Sequence, residues 1–247
     1  MPRQARLKSE SGIYHIILRG INHQRIFEDE EDSQKFLNIL LEYKSICEYE
    51  IYAYCIMGNH IHLLLKEGKE SLAQIMKRIG GKYVYWYNGK YKRTGHLFQD
   101  RFKSEPVSDD KYFLTVLRYI HHNPVKAGIV NKAEDYMFSS YNEYINSSDI
   151  IDVEFTFELI SIENFREYHR KSSEDKCLDI TEKKYRVTDE EATVIIKKLT
   201  RCENASEFQE LDKERRDKLL RKLKEKGLSI RQINRLTGIS KGIIEKT

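Results

Sequence analysis

Apolar positions in the first half of the chain switch between two spacings. Ile13–Arg19 (Ile-Tyr-His-Ile-Ile-Leu-Arg) is dense in β-forming residues and ends at Gly20, which predicts a strand and a turn. From Asp32 to Tyr49 the apolar residues are Phe36, Leu37, Ile39, Leu40, Tyr43 and Ile46. That is helical spacing, with acidic residues near its start. Ile51–Met57 predicts a second strand, Gly58-Asn59 a turn, and His60–Lys66 a third strand. Ser71 can cap a helix reaching about Tyr87. A short extended segment falls within Leu97–Val107. Ser108 or Asp109 then caps a helix to about Asn123, where Pro124 is expected to stop it. The order β-α-β-β-α-β-α predicts an α+β fold: a ferredoxin-like antiparallel sheet with helices packed on one face.

Beyond Val130 the periodicity weakens. Residues 145–190 are acidic and polar, and read as an extension or linker. Glu190–Leu199 turns helical again, and a basic helical region follows from about Lys213. The expected domains are therefore 1–145, an acidic extension or linker over 146–190, and a small all-α region over 191–247.

Charge sharpens this division. The net charge is only +4, yet residues 1–132 carry 21 basic against 15 acidic residues and residues 213–247 carry 12 against 4. Residues 133–198 reverse the sign, with 9 against 16. Two basic blocks around an acidic one suggest two surfaces for a polyanion, although a solvated surface with chance asymmetry explains charge alone equally well. No run of about 18 apolar residues predicts a membrane span, and no apolar secretion segment follows the N-terminus. Cys47, Cys55, Cys177 and Cys202 are scattered, which suits reduced thiols in a cytoplasmic protein.

The most informative run is Gly58-Asn59-His60-Ile61-His62-Leu63-Leu64-Leu65. Side chains two apart on a strand project to one side, so His60 and His62 should lie together while Ile61 and Leu63 face a core. Two neutral imidazoles can share a divalent cation. Alone, such a pair is more often structural. The helix before Pro124 reads Tyr112-Phe113-Leu114-Thr115-Val116-Leu117-Arg118-Tyr119-Ile120-His121-His122-Asn123, with Tyr119 and Asn123 on one face. If it packs across the sheet, a phenol and an amide oxygen reach the histidines. His122, nearer Tyr119's face than His121, is a second-choice ligand.

Three features together resemble the REP-associated tyrosine transposases, single-tyrosine members of the HUH nuclease superfamily. They are the His-hydrophobe-His run, Leu97-Phe98-Gln99-Asp100-Arg101-Phe102-Lys103-Ser104, and Arg118-Tyr119-Ile120-His121-His122-Asn123-Pro124-Val125-Lys126-Ala127-Gly128. The resemblance covers roughly residues 10–145. It implies a ferredoxin-like catalytic domain acting on single-stranded or hairpin DNA. It further implies His60 and His62 as metal ligands, Tyr119 as the nucleophile forming a 5′-phosphotyrosine, and Asn123 completing the metal site. Related insertion-sequence enzymes often carry Gln at that last position. Phosphoryl chemistry points to Mg²⁺ or Mn²⁺.

Two regions fit nucleic acid. Lys82 to Arg93 interleaves aromatic and basic residues, with Lys82 on a helix and Lys90, Lys92 and Arg93 in an expected glycine-flanked loop. Arg101 and Lys103 continue the strand path. At least half of these aromatics are expected in the core. Near the C-terminus, Ser229 and Ser240 can cap two short helices around Gly238. This resembles a helix-turn-helix carrying Arg231, Arg235 and Lys241. The leading expectation is a metal-dependent single-strand DNA endonuclease and strand transferase. A non-catalytic nucleic-acid-binding regulator and a water-using hydrolase are the alternatives. A homodimer with exchanged helices is compatible with the sequence, as is a monomer.

Overall fold

The computed structural model describes residues 6–99, 101–146, 149–171, 177–179, 189–202 and 204–247, the first three of α6 by their backbone alone. Asp100 and the remaining parts of the acidic extension lie outside the described residues. Strands β1 (Ile13–Arg19), β2 (Glu50–Met57), β3 (His60–Lys66) and β4 (Lys103–Pro106) form one antiparallel sheet in the order β2-β3-β1-β4. Helix α1 (Glu30–Cys47) connects β1 to β2, α2 (Leu72–Lys90) connects β3 to β4, and α3 (Asp110–Lys126) follows β4. The fold is the expected α+β sheet.

One detail differs. Burial along β1, β2 and β3 is almost continuous instead of alternating. A strand buried at every position is covered on both faces, so helices do not occupy one face alone. The histidine face carries His15 and Ile17 from β1, Cys55 from β2 and His62 and Leu64 from β3, because antiparallel register sets Ile17 opposite His62, His15 opposite Leu64 and Cys55 opposite His62. The other face carries Ile16, Leu18, Ile61 and Leu63, all buried.

Helix ends explain where the sequence boundaries shift. Asp29 caps α1 through a capping box with Asp32, so the helix begins before the expected Asp32. Lys90 closes α2 by reaching back to Asp29, Glu31 and Asp32 at the start of α1. This places a cation at one helix C-terminus and carboxylates at another's N-terminus. Ser71 is the α2 N-cap residue, but the Glu67 carboxylate accepts from the Leu72 amide in its place. Asp109 caps α3, accepting from the Tyr112 amide at 2.8 Å.

Pro124 does not end α3, which continues to Lys126. Within the last turn, proline forfeits only its own N–H, and the Ala127 amide still reaches the Asn123 carbonyl at 2.9 Å. The helix stops at Gly128, whose φ of +68° is the left-handed conformation glycine adopts without strain.

Within the acidic extension, α4 (Glu154–Leu159) and α5 (Ile162–Arg170) add to the same core through Phe165, which is fully buried. Residues 1–180 form one compact unit and residues 181–247 another. The second unit contains α6 (Asp189–Thr200), α7 (Ala205–Gln209), α8 (Lys213–Glu225), α9 (Ile230–Thr237) and α10 (Lys241–Lys246). It has its own core of Ile196, Phe208, Leu220, Leu223, Ile233 and Ile244. Ser229 and Gln232 form a capping box for α9, and Gly238 at φ +73° turns the chain toward α10.

Candidate active site

Strand alternation and the α3 face bring the expected residues together. The rings of His60 and His62 lie 5.1 Å apart, and the Tyr119 ring is 5.7 Å from His62. Tyr119 reaches them because α3 lies over the histidine face, anchored by Phe113, Val116, Leu117 and Ile120. Asn123, one turn on, donates its side-chain amide to the Tyr119 carbonyl at 3.0 Å.

Burial sets the protonation states. His62 is fully buried, and desolvation first, then the neighbouring His15, His60 and Lys126, hold it well below the ordinary imidazole value. Desolvation, followed by the charge of Arg19, pushes His60 down to about 4. Both rings are therefore neutral near pH 7, the state that ligates cations. Tyr119 moves the other way. Burial first, then the charge and hydrogen bond of Asp179, push the phenol well above its usual value. The Lys126 ammonium sits 4.2 Å from the Tyr119 ring centroid, where it favours the electron-rich ring.

A third histidine, absent from the sequence expectations, completes the cluster. His15 Nε2 lies 3.0 Å from His62 Nδ1, and His15 Nδ1 lies 3.0 Å from Glu105 Oε1. The same Glu105 oxygen accepts from the Tyr112 hydroxyl at 2.8 Å and the Leu178 amide at 2.7 Å. Burial pushes the Glu105 carboxyl up, but these hydrogen bonds outweigh it and hold the group below the usual carboxylate range. The signal for His15 was present in the alternation of β1. The pairing of β4 with β1 that delivers Glu105, and the return of Asp179 from the acidic extension, had no signal in the sequence.

The residues fit a divalent cation on one specific ground. His62 Nε2 is a buried nitrogen with no hydrogen-bond partner among the described residues. His60 Nδ1 is engaged by the Asn59 side-chain oxygen at 2.6 Å, which leaves its Nε2 as the lone pair for ligation. Among the described residues, no group of three or more His, Cys, Asp or Glu side chains could hold a metal. Ligation here would draw on two imidazoles and on oxygens of another kind. His122 faces α5 instead, where its Nε2 donates to the His169 carbonyl at 2.7 Å and its ring lies 5.9 Å from that of His169.

Comparison with known proteins places this arrangement. Residues 8–123 match the family described as Transposase IS200 like. A Haemophilus influenzae protein assigned to the REP-associated tyrosine transposases is 31% identical over 120 residues, spanning 42% of this chain and 68% of its own. The chain belongs to the REP-associated tyrosine transposases. An Escherichia coli REP-associated tyrosine transposase is 24% identical over 111 residues, 44% of this chain and 64% of its own length. A solved REP-associated tyrosine transposase bound to a REP hairpin shares the fold, with a TM-score of 0.51 and 20% identity over 62% of this chain and 96% of that one. Transposase function goes with membership of the family. No helix among the described residues is long and apolar enough to cross a membrane.

The remaining expected residues of this transposase sit on its surface. Lys92, Arg101 and Lys103 are exposed and Arg93 is half-buried, its guanidinium donating to the His96 carbonyl. Lys82 pairs with Glu42, and Lys90 lies at the end of α2, held by three carboxylates. A phosphate would compete with those carboxylates for either lysine. Tyr83 and Tyr87 are core residues, whereas Tyr85 is 84% exposed and presents a ring to solvent. Arg231, Arg235 and Lys241 are exposed on α9 and α10.

Proposed function

We propose that the chain is a divalent-metal-dependent endonuclease and strand transferase that cleaves single-stranded or hairpin DNA through a 5′-phosphotyrosine. The observation that carries this reading is the convergence of Tyr119 with the His60–His62 pair, whose buried His62 Nε2 has no partner among the described residues. Tyr119 is the nucleophile, and its attack on a phosphodiester leaves a 3′-hydroxyl and a protein–DNA link. His60, His62 and the Asn123 side-chain oxygen would hold Mg²⁺ or Mn²⁺. When bound, the ion neutralises charge developing on the phosphoryl oxygens.

The chain's own residues prepare the step. Lys126 over the Tyr119 ring stabilises negative charge on the phenol, and Arg19, opposite His60 in the sheet register, adds positive potential for a phosphate. Asp179 holds the Tyr119 hydroxyl by a hydrogen bond, so DNA entering the site displaces that carboxylate. Lys92, Arg93, Arg101 and Lys103 flank the path of the strand, while Lys82 and Lys90 stand beside it with their charges already matched by carboxylates. The exposed Tyr85 supplies a stacking ring.

Residues 1–145 carry the chemistry in this reading, and 146–190 form an extension. Residues 191–247 contain a helix-turn-helix-like unit that binds DNA through Arg231, Arg235 and Lys241. A hairpin of the kind bound by the solved relative is the first substrate to test. Labelled hairpin incubated with Mg²⁺ should yield a covalent adduct with the parent protein and none with Tyr119→Phe. Equal adduct from both would remove Tyr119 from its role. Salt-sensitive binding with no adduct would favour a non-catalytic regulator, and free 5′-phosphate without an adduct a water-using hydrolase.

A further inference from the structure

Strand register places three side chains in a row beneath Tyr119. Glu105 of β4 is directly opposite His15 of β1, and His15 is diagonal to His62 of β3 on the same face. The spacing is 3.0 Å at each link, Glu105 Oε1 to His15 Nδ1 and His15 Nε2 to His62 Nδ1. His15 and His62 are both fully buried, so water does not compete for these nitrogens.

The hydrogens follow from the acceptor end. Glu105 Oε1 already accepts from the Tyr112 hydroxyl and the Leu178 amide, so it faces His15 as an acceptor. His15 Nδ1 must then carry the proton. In a neutral ring this leaves Nε2 bare, and only His62 Nδ1 can supply the hydrogen between the two imidazoles. His62 is thereby fixed with its proton on Nδ1 and its lone pair on Nε2, the one buried nitrogen of the cluster that meets no partner among the described residues.

We propose that His15 and Glu105 are positioning residues, which lock the His62 tautomer and ring angle so that Nε2 is presented to a divalent cation before that cation arrives. The inference rests on the metal-dependent reading of the site and names the pair that orients one of its ligands. Histidine ligands that donate their second nitrogen to a buried acceptor gain both orientation and basicity. Here the acceptor is itself an imidazole, held in turn by a carboxylate.

Nitrogen-15 NMR of the cation-free full-length protein tests this. The expected spectrum shows His62 protonated at Nδ1, with a through-hydrogen-bond coupling from that nitrogen to His15 Nε2. His62 protonated at Nε2, as it would have to be if His15 were an imidazolium, overturns the proposal. Titration with Mn²⁺ should then show affinity lowered about 10–100-fold in His15→Phe. It should largely return in His15→Gln, whose amide oxygen can accept from His62 Nδ1. Unchanged tautomer and affinity in a folded His15→Phe also overturn it. The parent spectrum decides the tautomer even if a variant does not fold. Failure of the proposed cleavage reaction would leave these nitrogen signals as predicted, so the two readings fail separately.

Discussion

Helix α3 separates two histidine clusters that share composition and burial and differ in one valence. On one side His15, His60 and His62 lie beneath Tyr119. On the other, His121 and His122 meet His169 of α5. In the second cluster both nitrogens of each buried ring are engaged: His169 Nδ1 donates to the Phe165 carbonyl at 2.9 Å, and His121 Nδ1 donates to His169 Nε2 at 2.9 Å. His121 Nε2 takes the Ser140 hydroxyl at 2.8 Å. In the first cluster the chain of hydrogen bonds stops at His62 Nε2. A buried imidazole whose nitrogens are both engaged is a strut between α3, α5 and the sheet. One that keeps a bare nitrogen retains capacity for a ligand from outside the chain.

The sharpest way to break this contrast is to truncate one member of each cluster. His62→Ala should reduce adduct formation by at least about 10²-fold in a protein that still folds, since it removes a proposed ligand. His121→Ala should leave adduct formation per folded molecule within a few-fold, yet destabilise the fold by about 2–4 kcal/mol. It leaves a cavity and strands the partners on His169 and Ser140. Gel-resolved adduct yield and urea unfolding, measured on both variants, separate the roles. A stable His121→Ala protein with no adduct would reverse the assignment.

The contrast also shows how far the sequence could be read. The His60–His62 spacing and the Tyr119–Asn123 spacing are local periodicities, and local periodicity is what a sequence displays directly. The strands and helices that carry them were legible for the same reason. His121 and His122 were equally visible, but whether a buried nitrogen is closed or open depends on α5, some 45 residues later in the acidic stretch. Strand pairing was the other gap. Nothing in Lys103–Pro106 says that Glu105 will face His15, because register between distant strands is set by the assembled sheet. Pro124 misled for a related reason: a proline in a last turn forfeits only its own hydrogen bond, and packing of Tyr119, Ile120 and Pro124 holds the helix past it.

A smaller effect should follow from acid. Burial pushes His169 down to about 3, and His121 is also held well below its ordinary value by burial and the neighbouring histidines. In the unfolded chain both return to about 6.5. Between those limits the unfolded state binds more protons, so stability is fully present above about pH 6.5 and falls as the pH drops toward 3. The expected loss approaches about 1.4 kcal/mol per pH unit for each such group. Urea midpoints measured from pH 7 to pH 4 should therefore decline, and His169→Gln should flatten the decline. An unaltered slope in a folded variant would mean that the cluster does not titrate with unfolding.

The smallest expected effects distinguish two lysines two positions apart. Lys90 neutralises Asp29, Glu31 and the fully buried Asp32, whereas Lys92 is exposed in the following loop. Lys90→Ala should cost about 1 kcal/mol of stability after screening of the exposed partners, because the buried Asp32 loses a donor. It should leave the salt dependence of DNA binding nearly unchanged, since its charge is already matched within the chain. Lys92→Ala should do the opposite, with stability unaltered and the slope of log affinity against log salt reduced by about 0.7 for a single-stranded ligand. Binding isotherms over a range of NaCl concentrations read this directly. Equal slopes for Lys92→Ala and the parent would take the loop after α2 off the strand path and leave Arg101 and Lys103 to define it.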